Sequence, residues 1–103
     1  MIANAEVAPV SPLLCATKDE IDKVSSVNVG GMVKNYPKAA RQMITQGDSE
    51  AGAGVKRYKI LGAASIAGSR DFPACDTYSA SKFAVPGLTQ AMASEMYPPP
   101  QLY

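Results

Sequence analysis

The sequence predicts an α/β fold built on parallel strands, and three observations carry that expectation. The apolar blocks run in the order short strand, long helix, short strand, long helix. The two long blocks keep a period near 3.6 residues, whereas the short ones are brief apolar runs bounded by loop residues. The connections hold the Pro and Gly that interrupt regular structure. Alternation of this kind is the pattern of a parallel sheet covered by helices. Two strands and two helices would leave a sheet edge open and a core half covered, so the pattern points to a piece of a larger layered domain.

Each element has a local reason. Met1–Asn4 is a short apolar start that reads as the end of a strand. Ala8–Cys15 reads as loop, because Pro9 and Pro12 block regular structure. Thr17 and Glu20 have the Thr-x-x-Glu spacing of a capping box. A helical pattern follows, carried by Ile21, Val24, Val27, Met32, Tyr36, Ala39, Ala40, Met43 and Ile44. This predicts one long helix or two abutting ones from Lys18 to Thr45, with Gly47 as the stop. Gly47–Lys56 reads as a connector. Arg57–Ala64 reads as a buried strand, Ser65–Asp76 as a loop with Gly68 and Pro73, and Thr77–Met96 as the second helix. The apolar side expected for that helix is Tyr78, Phe83, Leu88, Ala91, Met92 and Met96.

Composition excludes several function classes. The 103 residues allow one domain at most. Lys and Arg total 10 against 9 Asp and Glu, which gives no basic footprint for nucleic acid or an anionic membrane surface. There is no His, so His-based triads and His metal sites are out, and no metal site is expected. Apolar residues make up 47%, enough for a packed core rather than global disorder. Cys15 and Cys75 have no metal spacing and read as small buried or half-buried residues. No apolar run is long enough to span a bilayer, and the start lacks a secretory signal, so a reducing, cytoplasmic compartment is expected.

The sharpest chemical signal is Tyr78-Ser79-Ala80-Ser81-Lys82. Positions i and i+4 share a helical face. A neighbouring ammonium favours the phenolate of a tyrosine, and such a tyrosine can move a proton to or from an alcohol or carbonyl oxygen. By itself the spacing is weak, and an exposed helix face is its ordinary reading. Ser65 closes the second predicted strand thirteen positions earlier. A loop of that length can fold back and bring its hydroxyl beside the phenol; the plainer alternative is a strand-end Ser bonding loop backbone.

At these residues the sequence resembles the active-site segment of the short-chain dehydrogenases/reductases. The resemblance rests on Ala64-Ser65-Ile66-Ala67-Gly68 followed by Tyr78-Ser79-Ala80-Ser81-Lys82-Phe83-Ala84. Val27-Asn28-Val29-Gly30-Gly31 resembles that family's V-N-x-x-G segment, and Asn4-Ala5 its N-N-A-G motif. The three motifs occur in the family's order and cover the chain to about Met96. The flanking runs APVSPLL, AARQMITQG and SKFAVPGLTQAMASEM are similar to the acetoin/diacetyl reductase and butanediol dehydrogenase branch.

The resemblance implies a partial Rossmann-type fold: parallel strands with long flanking helices, without the N-terminal cofactor-binding half and the C-terminal portion. Residues 1–97 would be the central and catalytic segment and 98–103 a Pro-rich tail. It implies NAD or NADP as cofactor and a small carbonyl or alcohol as substrate. Tyr78 would be the general acid/base. Lys82 would bind the nicotinamide ribose hydroxyls and favour the Tyr78 phenolate, and Ser65 would orient the substrate oxygen. Asn28 would hold a relay water at a helix distortion, where Gly30 and Gly31 weaken the helix by about 1 kcal/mol each. Asn4 would lie near the cofactor. Homo-oligomers are implied for the full-length family. The segment alone is expected to have little or no activity, and the alternative is a non-catalytic piece that docks onto full-length relatives through its two long helices.

The sequence departs from that pattern in several places. No Gly-rich turn follows a first strand; Gly52-x-Gly54 precedes a strand and reads as a connector. Glu6 stands where the family has the glycine of N-A-G, placing a charge in a cofactor-side turn. Pro86 and Pro37 fall inside the two helices, where an interior proline costs about 3 kcal/mol. A kink at Pro86 would misplace Lys82 against Tyr78. The ending YPPPQLY does not resemble the family's continuation.

Overall fold

A computed structural model describes residues 1–49, 59–70 and 72–96. The predicted order holds: β1 (Ile2–Ala3), α1 (Lys18–Val24), a π-helical turn (Ser25–Gly30), α2 (Gly31–Ser49), β2 (Leu61–Gly62) and α3 (Asp76–Glu95). Short 3-10 turns lie at Leu13–Cys15 and Ile66–Gly68. The expected 47–56 connector from residue 50 on, the first part of the second strand and the 98–103 tail lie outside the described residues.

The strands pair in parallel, with Ile2 opposite Leu61 and Ala3 opposite Gly62. Leu61 N–H donates to Met1 O and Ala63 N–H to Ala3 O, both at 3.0 Å. The regular part of β2 is shorter than the predicted Arg57–Ala64. Ile2 and Leu61 are exposed, so one face of the sheet is uncovered among the described residues. Parallel sheets are ordinarily covered on both faces.

The long helix begins as its sequence dictates. Thr17 Oγ1 accepts from Glu20 N–H, and the Glu20 carboxylate accepts from Thr17 N–H, which completes the capping box. Asp19 and Glu20 place negative charge at the positive end of the helix dipole. The helix does not stop at Gly47 but runs to Ser49. Its buried stripe is Val24, Asn28, Met32, Tyr36 and Ala40, spaced by four throughout. A straight α-helix turns about 40° too far for that spacing at each step. The π turn widens the helix at Asn28 and brings the stripe back toward the same neighbours. Ile21, which the periodicity placed inward, is exposed.

The small core consists of Met32, Tyr36 and Val85, with Ala3, Ile60, Leu88 and Met92 packed against it. Tyr36 is 1% exposed, and its hydroxyl lies 3.4 Å from Thr89 Oγ1. The inward face of α3 includes Leu88 and Met92 from the expected apolar side, but it also takes in polar residues and leaves Phe83 out. Ser81, Lys82 and Val85 are buried, while Phe83 is 54% exposed. The reason is the set of anchors available to Ser81 and Lys82 inside, described below. Both helices pass through their prolines: α2 contains Pro37 and α3 contains Pro86. Cys75 is buried, as expected; Cys15 is exposed, contrary to expectation. Among the described residues no helix is long and apolar enough to cross a membrane.

The sheet meets the core at Gly62, where a Cβ would stand 2.1 Å from Tyr36 Oη and 3.0 Å from Val85 Cγ1. Tyr36 is buried, so its ring must shift within the core to make room. Gly62→Ala is therefore expected to destabilise the chain by about 1–3 kcal/mol, read as a lower urea midpoint.

Candidate active site

Three segments separated in sequence are tied together by the buried side chain of Asn28, which sits in the π turn. Its Oδ1 accepts from Val7 N–H and its Nδ2 donates to Val7 O, both at 2.9 Å. Nδ2 also donates to Ser81 Oγ at 3.0 Å. Both amide N–H groups are thereby used, and the segment after β1 is held against the long helix and α3. Ser81 in turn donates to Tyr78 O at 2.6 Å. That local bond to a carbonyl three residues back is a habit of helical serine. Ser81 was absent from the sequence-based candidates, and its small polar character next to Lys82 was the only signal available.

Tyr78 and Lys82 share a face of α3. Lys82 Nζ lies 5.5 Å from the centroid of the Tyr78 ring, within cation–π range. Lys82 is only 3% exposed. Its ammonium donates to Ala63 O at 2.8 Å, just past β2, and pairs with the carboxylate of Glu6. Tyr78 Oη makes a longer contact with the same Glu6 oxygen, 3.4 Å away. One carboxylate oxygen therefore faces both the phenol and the ammonium. The Glu6 side chain is 42% exposed and reaches this point from the turn after β1.

Pro86 does not separate the pair, because α3 is continuous across it. Proline at 86 leaves the Lys82 carbonyl without its usual amide partner. Gly68 packs over that carbonyl: a Cβ there would lie 2.7 Å from Lys82 O and 2.8 Å from Lys82 C. Only glycine lets the 3-10 turn seat so closely, and the seat fixes the segment that carries Ser65.

Ser65 is half-buried and caps that turn, its Oγ accepting from Ala67 N–H at 3.2 Å. This is the loop-capping alternative; Ser65 is not hydrogen-bonded to Tyr78. Its hydroxyl proton remains available to donate. Ala74 enters α3 with φ of 60°, a strained value for a residue with a Cβ. Its carbonyl accepts from Ser11 N–H at 2.8 Å, and Asp76 Oδ2 accepts from Leu13 N–H at 3.1 Å. These bonds pin the 8–15 loop to the start of α3. Asn4 lies exposed just past β1. Among the described residues no three His, Cys, Asp or Glu side chains group as metal ligands.

Asn28→Ala would leave Val7 N–H, Val7 O and Ser81 Oγ without their partner, at a cost of about 2–4 kcal/mol. Ser81→Ala removes one bond and is expected to cost about 1 kcal/mol. Denaturation midpoints of the two variants, compared side by side, check this order.

The family model described as short chain dehydrogenase matches residues 1–99. An L-2,3-butanediol dehydrogenase of Corynebacterium glutamicum is 40% identical over 98 residues, 95% of this chain and 35% of its own length. A diacetyl reductase ((S)-acetoin forming) of Staphylococcus epidermidis is 35% identical over 96 residues, 93% of this chain and 34% of its own. The solved structure of a 4-hydroxyisoleucine dehydrogenase complexed with NADH superposes with a TM-score of 0.80 at 26% identity. It covers 95% of this chain and 40% of that one. The chain thus spans about a third of the length of the curated relatives it matches.

Proposed function

The chain belongs to the short-chain dehydrogenase family, and from that premise we propose that it is the proton-transferring segment of a nicotinamide-dependent oxidoreductase acting on a small alcohol or carbonyl. The observation that carries this reading is the shared face of Tyr78 and Lys82, with Lys82 buried and fixed on Ala63 O. The similar butanediol dehydrogenase and diacetyl reductase support a small hydroxyketone, diketone or diol as the substrate class.

The residues fit one half of the cofactor, NAD or NADP. A phenol and an ammonium on one face suit the hydroxyls of a nicotinamide ribose. Asn4 precedes Glu6 by two residues in the turn after β1. When bound, the cofactor supplies or accepts the hydride. The chain's own residues handle the proton. Tyr78 gives it to the carbonyl oxygen in reduction and takes it back in oxidation. Lys82 holds the ribose hydroxyls beside that phenol. Ser65, held by Ala67 N–H, has its O–H free to polarise the substrate oxygen. The Asn28 amide N–H groups are spent on Val7 and Ser81, so a relay water would rest on the main chain of the π turn.

Saturation-transfer NMR with dihydronicotinamide riboside, the uncharged half that Tyr78 and Lys82 would face, tests the reading. Saturable binding is expected, and Lys82→Met is expected to abolish it. Binding that survives in Lys82→Met overturns the assignment. The segment alone is expected not to reduce diacetyl with NADH. In an assembly that does so, Tyr78→Phe should lower the rate by about 10²–10⁴-fold.

A second reading has its own observation. A groove of about 270 Å³ between α2 and α3, lined by Val33, Ile44, Leu88, Met92 and Met96, remains open. It supports docking of this segment onto a full-length relative or another copy. Size-exclusion chromatography of such mixtures is expected to show a complex, and separate elution removes this reading.

A further inference from the structure

Among the described residues Glu6 is the acidic group that touches Tyr78 and Lys82, and its position is not explained by packing. Its side chain is substantially exposed, yet it turns inward and places Oε2 against both Lys82 Nζ and Tyr78 Oη. Lys18 and Lys23, on the surface of α1, are outside this cluster; Lys82 is its buried cation. A carboxylate at that point satisfies the buried ammonium, whose other partners among the described residues are Ala63 O and the Tyr78 ring.

We propose that Glu6 is a built-in plug of the Tyr78–Lys82 site: its carboxylate occupies the point shared by the phenol and the ammonium, and a hydroxyl-bearing ligand must displace it. This inference rests on the reading of that face as a nicotinamide-ribose site. One oxygen position cannot serve both occupants. Any ribose hydroxyl that takes the Lys82 N–H directed at Glu6 breaks a charge-assisted bond and returns the carboxylate to water. The partial exposure of Glu6 gives it a route out, so the plug weakens binding without sealing the site. The charge adds a second effect, because a ligand that also carries phosphate meets a carboxylate at the entrance.

The test compares the unaltered chain with Glu6→Gln and Glu6→Gly, using dihydronicotinamide riboside and its 5′-phosphate as probes. Glutamine keeps the shape and removes the charge; glycine removes the side chain. Circular dichroism confirms that each variant is folded. Both variants are expected to bind the uncharged riboside about fivefold more tightly than the unaltered chain. The gain for the phosphate-bearing probe is expected to be larger and to shrink with added salt. In a Lys82→Met background the Glu6 substitutions should produce no gain. Equal, measurable affinities across the three proteins would overturn the plug while leaving the ribose site intact. Absence of binding in all three would overturn the ribose site itself, and the plug with it.

Discussion

The arrangement depends first on the Asn28 amide. It is buried at the π turn and bonded to both backbone groups of Val7 and to Ser81. An amide in that position cannot be left unpaired without a penalty of a few kcal/mol. Its partners fix the segment after β1 to the long helix, and they fix the long helix to α3. The four-residue spacing from Val24 to Ala40 serves the same end, since the π turn lets a polar residue join an otherwise apolar stripe. Structural and proposed catalytic roles therefore meet in one residue.

Lys82 is the second constraint. A lysine at 3% exposure must be satisfied from within, and it is, by a carbonyl beyond β2 and by a carboxylate from the turn after β1. Strand pairing thus determines where the ammonium rests: the β1–β2 register sets both Ala63 and the exit path of the chain toward Glu6. Gly68 completes the frame by seating the Ser65 turn on the Lys82 main chain. The proline at 86 is accommodated in the same place, where Gly68 covers the carbonyl that the proline leaves without an amide.

Much of this was legible in the sequence. The capping box at Thr17 and Glu20 is local chemistry and appeared as read. The alternation of strands and helices followed from periodicity, with β2 shorter and α2 longer than expected. The face shared by Tyr78 and Lys82 followed from i, i+4 spacing. The inward side of α3 is legible at Leu88 and Met92 but not nearer its start, where apolar content points to Phe83 while burial goes to Ser81 and Lys82. Hydrophobicity ranks side chains by transfer from water and gives no credit to a polar group whose partners lie elsewhere in the fold.

The sequence by itself determined the elements, the cap, the helical pairing of Tyr78 with Lys82 and the family resemblance, all of which depend on neighbours within a few residues or on motif order. Only the tertiary structure decided that Asn28 bonds Ser81 across 53 positions and that Glu6 meets Tyr78 across 72. It also decided that Ser65 caps its own turn instead of bonding the phenol. Such contacts are set by strand register and helix packing, and a hydrogen bond between distant residues leaves no periodicity in the chain for a reader to find.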